Sequence, residues 1–141
     1  MSQKVFIIED DANILYGLQD SFSSDGYEVA ANSADDDIDT LLKVLRAFSP
    51  DFLILDLILP KLDGFEIIKK IKESEDLADL RIFIFTDLSD EDSKSRSMEL
   101  GVSYYFVKNE FDVYDFSEKV KAIIENREYN STTDDDGVIL D

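Results

Sequence analysis

Short apolar runs alternate along this chain with longer segments in which apolar residues recur at helical spacing. Apolar runs at 5–8, 52–55, 82–85 and 104–107 predict strands that are buried on both faces, and residues 27–30 predict a weaker strand. An amphipathic segment follows each strand. Five such β-α units predict an α/β domain with a parallel sheet and helices on both faces.

Polar residues follow the ends of these strands. Those just past an apolar run are Glu9, Asp10, Asp11, Asp56, Thr86 and Lys108. The carboxyl ends of parallel strands share one edge, which is where open α/β sheets bind ligands. We therefore expect the six groups to converge, although each alone has a plainer interpretation as a helix cap, a turn residue or a solvated charge.

Converging carboxylates need neutralisation. At about 5 Å and an effective dielectric near 20, each pair of carboxylates costs roughly 3 kcal/mol. Lys108 supplies one positive charge, and a hard divalent cation would supply the rest. The chain has no cysteine and no histidine, which excludes thiolate and histidine metal sites and triads that use either residue. Any metal must therefore bind to oxygen, which favours Mg²⁺, Mn²⁺ or Ca²⁺.

A cation beside a carboxylate and a lysine is suited to phosphate chemistry. The cation and Lys108 would neutralise phosphoryl oxygens, and the Thr86 hydroxyl would donate to another. Asp56, at a strand end, is the candidate nucleophile that would form an aspartyl phosphate. Glu9 and Asp10, on the neighbouring loop, are better placed to hold metal.

The motifs together resemble the response-regulator receiver family over residues 4–125. The residues that carry the resemblance are Val5-Phe6-Ile7-Ile8-Glu9-Asp10-Asp11, Phe52 to Pro60, Asp63-Gly64-Phe65-Glu66, Phe85-Thr86, Gly101 and Tyr105-Phe106-Val107-Lys108. The resemblance implies a doubly wound, flavodoxin-like five-stranded parallel sheet of strand order 2-1-3-4-5 with five helices. It also implies a phosphorylation-controlled switch of two-component signalling that turns over no external substrate.

The resemblance implies a role for each matching residue. Asp56 would accept the phosphoryl group from a sensor histidine kinase or a histidine phosphotransfer protein. Glu9, Asp10, Asp56 and the backbone carbonyl of Ile58 would hold Mg²⁺, with Mn²⁺ as an alternative. Thr86 and Lys108 would bind the phosphoryl group. Tyr105 would swing inward when Thr86 shifts, or, in the alternative interpretation, it is an amphipathic aromatic residue at a partly buried strand position.

Two residues depart from the family pattern. Asp87 follows Thr86 where a small residue is usual, and we expect its charge to slow phosphorylation by small donors. Asn109 follows Lys108 where a cis proline is usual. A cis bond without proline costs roughly 3 kcal/mol, so the alternatives are a strained cis peptide or a loop with a different path.

The remaining predictions concern organisation and partners. We expect a stand-alone receiver at 1–127 and an acidic, flexible tail at 128–141, in which the apolar residues 138–140 dock on a partner or on the domain itself. The helix at 90–100 has Met98 and Leu100 as its main anchors, and it is either weakly held or a well-solvated surface helix. Output would be contact with a downstream protein, and homodimerisation would use the 90–127 face.

Charge and composition exclude other classes. The net charge of −19 disfavours nucleic acid and anionic membranes, and the lack of targeting or spanning segments leaves the cytoplasm as the expected location. An aspartyl-phosphate phosphatase would need an acid where Ile58 stands. A flavin-binding domain would need a Ser/Thr/Gly-rich loop in place of residues 9–11. A receiver-like module that acts without phosphorylation remains the alternative.

Overall fold

The computed structural model describes residues 2–126 together with Val138 and Ile139. Five parallel strands form the sheet in the order β2-β1-β3-β4-β5, which confirms the predicted fold. They are β1 (Lys4–Ile8), β2 (Glu28–Asn32), β3 (Phe52–Leu55), β4 (Arg81–Thr86) and β5 (Tyr104–Val107). A sixth strand, β6 (Val138–Ile139), pairs antiparallel with β5.

Five helices connect and flank the parallel strands. They are α1 (Ala12–Ser24), α2 (Ile38–Phe48), α3 (Gly64–Glu73), α4 (Glu91–Glu99) and α5 (Val113–Ile124). Each begins directly after an aspartate whose carboxylate accepts hydrogen bonds from amides of the first turn; the five are Asp11, Asp37, Asp63, Asp90 and Asp112. Such caps satisfy amides that have no partner inside a helix, so the sequence itself sets where each helix starts.

Apolar side chains fill both faces of the sheet. Along β1, Phe6 and Ile8 join one buried cluster, which includes residues of α2 and α3. Val5 and Ile7 join the other, which includes residues of α1 and α5. Because successive side chains of a strand point to opposite faces, a strand covered on both sides must be apolar throughout, as the four-residue runs are.

The strand register brings the functional edge together. Ile8 lies beside Leu55, and Leu55 lies beside Ile84. Thr86 lies beside Val107 at the far side of the sheet. The residues that follow β1, β3 and β5 therefore emerge at one edge.

Two elements differ from the sequence-based expectation. The second strand spans Glu28–Asn32 rather than residues 27–30. Val138–Ile139, inside the segment expected to be a flexible tail, forms β6, whereas residues 127–137, 140 and 141 lie outside the described part. None of the described helices is long and apolar enough to cross a membrane.

Candidate functional site

Three carboxylates meet at the carboxyl edge of the sheet. Glu9 follows β1 and Asp56 follows β3, and these strands are neighbours. Oxygen atoms of Glu9, Asp10 and Asp56 all lie within 4.8 Å of one another. Glu9 and Asp56 are buried, with 2% and 4% exposure, whereas Asp10 is exposed. The site therefore has two desolvated carboxylates and one that faces solvent.

Lys108 joins the two buried carboxylates. Its Nζ lies 2.9 Å from Glu9 Oε1 and 2.8 Å from Asp56 Oδ2. Its own amide donates to the carbonyl of Thr86 at 2.7 Å, which positions the residue at the end of β5. Burial alone would lower the pKa of Lys108, but the hydrogen bonds to Asp56 and Glu9 outweigh it and hold the pKa above its ordinary value. The ammonium group thus stays charged.

Glu9 has the most perturbed carboxyl group of the site. Burial raises its pKa to about 7, and the negative charge of Asp56 adds to the rise. Hydrogen bonds from Lys108 and from the Asp11 amide oppose it. Three carboxylates and one ammonium carry a formal charge of −2 when all are ionised. A divalent cation would neutralise that charge, and carboxylate oxygens are the ligands that hard cations prefer.

The loop after β3 holds the other oxygen of Asp56. Oδ1 accepts a hydrogen bond from the Ile58 amide at 3.1 Å, and Ile58 bridges to Asp63 across the loop. Gly64 closes the loop because its amide donates to the Leu57 carbonyl at 3.2 Å. A Cβ at Gly64 would lie 2.5 Å from Leu57 Cα, so only glycine fits without a shift of the backbone.

Thr86 and Tyr105 are connected through Leu88. The Thr86 hydroxyl oxygen accepts from the Leu88 amide at 3.4 Å, and the Tyr105 hydroxyl donates to the Leu88 carbonyl at 2.8 Å. Tyr105 is fully buried, so its side chain already lies inward, and burial raises its pKa to about 12. Leu88 was not among the sequence candidates, because it contributes backbone atoms and these have no sequence signature.

Comparisons with known proteins decide the family. A family model described as "Response regulator receiver domain" matches residues 5–133. The chain belongs to the response regulator receiver family. Receivers are signalling domains of two-component systems, and they interact with sensor kinases and downstream targets.

Individual relatives agree with this family. The chain is 31% identical over 126 residues to sporulation initiation phosphotransferase F of Bacillus subtilis (strain 168), covering 88% of this chain and 95% of that protein. It is 31% identical over 128 residues to the alkaline phosphatase synthesis transcriptional regulatory protein PhoP of the same organism, covering 91% of this chain and 51% of that protein. The receiver thus spans about half the length of that regulator.

The structural comparison agrees on the fold. The Mn²⁺-bound form of response regulator Rcp1 superposes with a TM-score of 0.76 at 22% identity, covering 90% of this chain and 97% of that one.

One predicted acid, Asp11, lies outside the carboxylate cluster of this receiver. The Asp11 carboxylate caps α1, accepting from the amides of Asn13 and Ile14 at 2.9 and 3.1 Å, and it is not one of the three carboxylates whose oxygens lie within 4.8 Å of one another. The reason is that the first amides of α1 need an acceptor.

The two departures from the family pattern resolve differently. Asp87 is exposed just beyond Thr86. The described residues contain no cis peptide, so the Lys108–Asn109 bond is trans and the strained alternative is excluded. Instead, residues 108–110 turn, and the Glu110 amide donates to the Val107 carbonyl at 3.0 Å.

Helix α4 is anchored in a different way than the sequence indicated. Met98 is 46% exposed and does not anchor it, whereas Leu100 is half-buried against the core. The guanidinium of Arg96 lies 4.1 Å from the centroid of the Phe65 ring, and buried Ser97 donates to the Ser93 carbonyl at 2.9 Å. Met98 is misassigned because Ser97 and Arg96, not the one apolar residue, face the neighbouring elements.

Proposed function

We propose that this receiver is a phosphorylation-controlled switch of a two-component phosphorelay, and that Asp56 accepts the phosphoryl group. The observation that carries the proposal is the convergence of Glu9, Asp10 and Asp56 within 4.8 Å, with Lys108 in contact with two of them. Few structural roles explain why a fold would bury two carboxylates beside a third, since their mutual repulsion opposes folding.

The donor set fits a hard divalent cation. Glu9, Asp10 and Asp56 offer three carboxylates, and the backbone carbonyl of Ile58 is the further ligand that we propose. Oxygen ligands and the formal charge of −2 favour Mg²⁺, with Mn²⁺ as an alternative. When bound, the cation supplies charge neutralisation for phosphoryl oxygens.

Asp56, Lys108 and Thr86 carry out the phosphoryl transfer itself. A carboxylate oxygen of Asp56 attacks the phosphorus of a phosphohistidine, an oxygen–phosphorus bond forms, and the nitrogen–phosphorus bond breaks, leaving the donor histidine with its electron pair. Lys108, whose raised pKa keeps it charged, pairs with the transferred group. The Thr86 hydroxyl, now an acceptor for the Leu88 amide, reorients to donate to a phosphoryl oxygen.

Proposed partners follow from this chemistry. The donor is a sensor histidine kinase or a histidine phosphotransfer protein, and the output is contact with a downstream protein or a second copy through the 90–127 face, in the cytoplasm. On that face Tyr105 and Phe106 are buried, while Met98 and Tyr114 are 46% and 66% exposed. The exposed pair, rather than the buried aromatics, would therefore contribute contact surface.

Intact-protein mass spectrometry tests the proposal. Incubation with Mg²⁺ and a small phosphoryl donor should add the mass of one phosphoryl group, and hydroxylamine should remove it because the product is an acyl phosphate. Asp56→Asn should abolish the addition, whereas Asp20→Asn, an exposed position on α1, should not. Addition that persists in Asp56→Asn, or that needs no divalent cation, would refute the proposed site.

A receiver-like module that acts without phosphorylation is the second candidate. The inward position of Tyr105 is held by the Leu88 carbonyl, a contact that involves no atom of Asp56. If this module is correct, neither Mg²⁺ with a phosphoryl donor nor beryllofluoride will change the amide spectrum around Thr86 and Tyr105. A shift of those amides on addition of beryllofluoride would favour the switch.

A further inference from the structure

The outer edge of β5 is unusually apolar for the edge of a sheet. Its four residues are Tyr104, Tyr105, Phe106 and Val107, without a charge or a proline. The opposite edge, β2, begins with exposed Glu28 and consists otherwise of partly exposed residues. Flat apolar edges offer unpaired amides and carbonyls to any extended chain, and proteins usually protect them with charges, prolines or a covering segment. Because β5 has neither charge nor proline, a covering segment is needed.

The chain's own C-terminal segment covers this edge. Ile139 pairs with Tyr104 and Val138 pairs with Tyr105, both antiparallel. We propose that this pairing persists within one chain in solution and blocks the β5 edge, so that Val138–Ile139 occupies a surface that would otherwise bind an extended apolar segment of another protein. Any protein that uses this edge must then compete with the C-terminal segment.

Sequence and charge favour the segment of the same chain over that of a second copy. Residues 127–137 connect α5 to β6, and eleven residues reach about 36–40 Å when extended, enough to span a small domain. A short connection gives an effective concentration on the order of millimolar. Two chains that each carry −19 repel one another, which weakens pairing between copies. Val and Ile are also residues that favour strands.

Competition at the edge has a defined consequence. When β6 is paired with β5 most of the time, a competing strand can bind only to the molecules in which β6 is unpaired. The apparent affinity of that strand is therefore lowered in proportion to the unpaired fraction. The competing segment would need the same chemistry: an extended backbone with apolar, β-branched residues.

A disulfide trap in the full chain tests the pairing, because the protein has no cysteine of its own. Tyr104→Cys with Ile139→Cys places two thiols at directly opposite positions, where Cβ atoms lie about 4.5–5.5 Å apart. The control, Tyr104→Cys with Val138→Cys, places them on opposite faces of the strand pair. In glutathione buffer, Tyr104→Cys with Ile139→Cys should form an intramolecular disulfide. The effective concentration of its two thiols should be at least about tenfold above that in the control.

Equal effective concentrations would overturn the proposal, and so would disulfides that form between chains instead of within one. A second measurement keeps Tyr104 intact. Residues along an antiparallel strand alternate between hydrogen-bonded and non-hydrogen-bonded pairs, so either the Tyr104 amide or the Tyr105 amide donates to β6.

That amide should exchange at least about tenfold faster in Val138→Pro/Ile139→Pro, and at the wild-type rate in Val138→Ile/Ile139→Val. Unchanged exchange in the proline variant would refute the pairing. Neither experiment uses the chemistry of Asp56, so their failure is distinct from failure of the proposed function.

Discussion

Replacing Glu9 by glutamine is expected to stabilise the cation-free protein at neutral and alkaline pH, although the same change removes a proposed metal ligand. Glu9 is 2% exposed, and burial raises its pKa from 4.5 to about 7. The glutamine amide keeps the shape of a protonated Glu9 side chain without ever ionising. The variant therefore reports what the charge of this buried group costs the fold.

The sign and the size of this stability difference follow from the linkage between proton binding and folding. Between pH 4.5 and pH 7 the carboxyl is ionised in the unfolded chain but still protonated in the folded one. The folded state then binds more protons, so the free energy of unfolding falls as pH rises through this range and stays lower above it. Each pKa unit corresponds to 1.36 kcal/mol, which gives a total of about 3 kcal/mol.

Urea unfolding in the presence of a chelator measures the effect. Wild type and Glu9→Gln should have similar stability at pH 4.5, and the variant should be about 3 kcal/mol more stable at pH 8. Glu75→Gln, at an exposed position, is the matched control, and its free energy of unfolding should equal that of wild type at both pH values. A stability difference between wild type and Glu9→Gln that is the same at pH 4.5 and pH 8 would refute the reasoning.

Adding Mg²⁺ extends this test to the proposed cation. Ligand that binds only the folded state stabilises it, by about 2.7 kcal/mol at one hundred times the dissociation constant. Wild type at pH 8 should gain such stability, whereas Glu9→Gln should gain much less. An equal gain in both would show that Glu9 is no ligand.

Three further outcomes are expected. Gly64→Ala should lower the free energy of unfolding by about 1–3 kcal/mol in urea, because the new Cβ would meet Leu57 Cα at 2.5 Å; unchanged stability would contradict the close contact. Ser117→Ala should raise it by about 1 kcal/mol, since this buried hydroxyl has no hydrogen-bond partner among the described residues, and a loss would reveal one. Asp87→Ala should speed phosphorylation by small donors, measured by mass spectrometry, because an exposed carboxylate beyond Thr86 repels phosphate; an equal rate would remove Asp87 from consideration.

The sequence predicted the elements that the core determines. Residues 5–8 and 52–55 are all buried, and a strand covered on both faces has a continuous apolar signal. The second strand was displaced in the prediction because it is an edge strand with partly exposed residues and a weak pattern. Strand β6 could not be predicted as a strand, because two residues have no periodicity and their pairing partner lies far away in the sequence.

The candidate site was predictable only in part, for a related reason. Glu9, Asp10, Asp56 and Lys108 meet because strand ends converge, which topology alone implies. Whether an acid faces the site or caps a helix depends on local amide geometry, and this separates Asp11 from its neighbours.

Tyr105 contacts two separate segments, one through its hydroxyl and one through its backbone, so the choice of substitution decides which contact is tested. Its hydroxyl is bound to the loop that begins after Thr86, while its main chain is paired with Val138. Truncating the residue would disturb both, so a changed phenotype would have no single cause. Tyr105→Phe deletes only the oxygen and spares ring and backbone, so it alone can tell whether loop and edge strand communicate through that one bond.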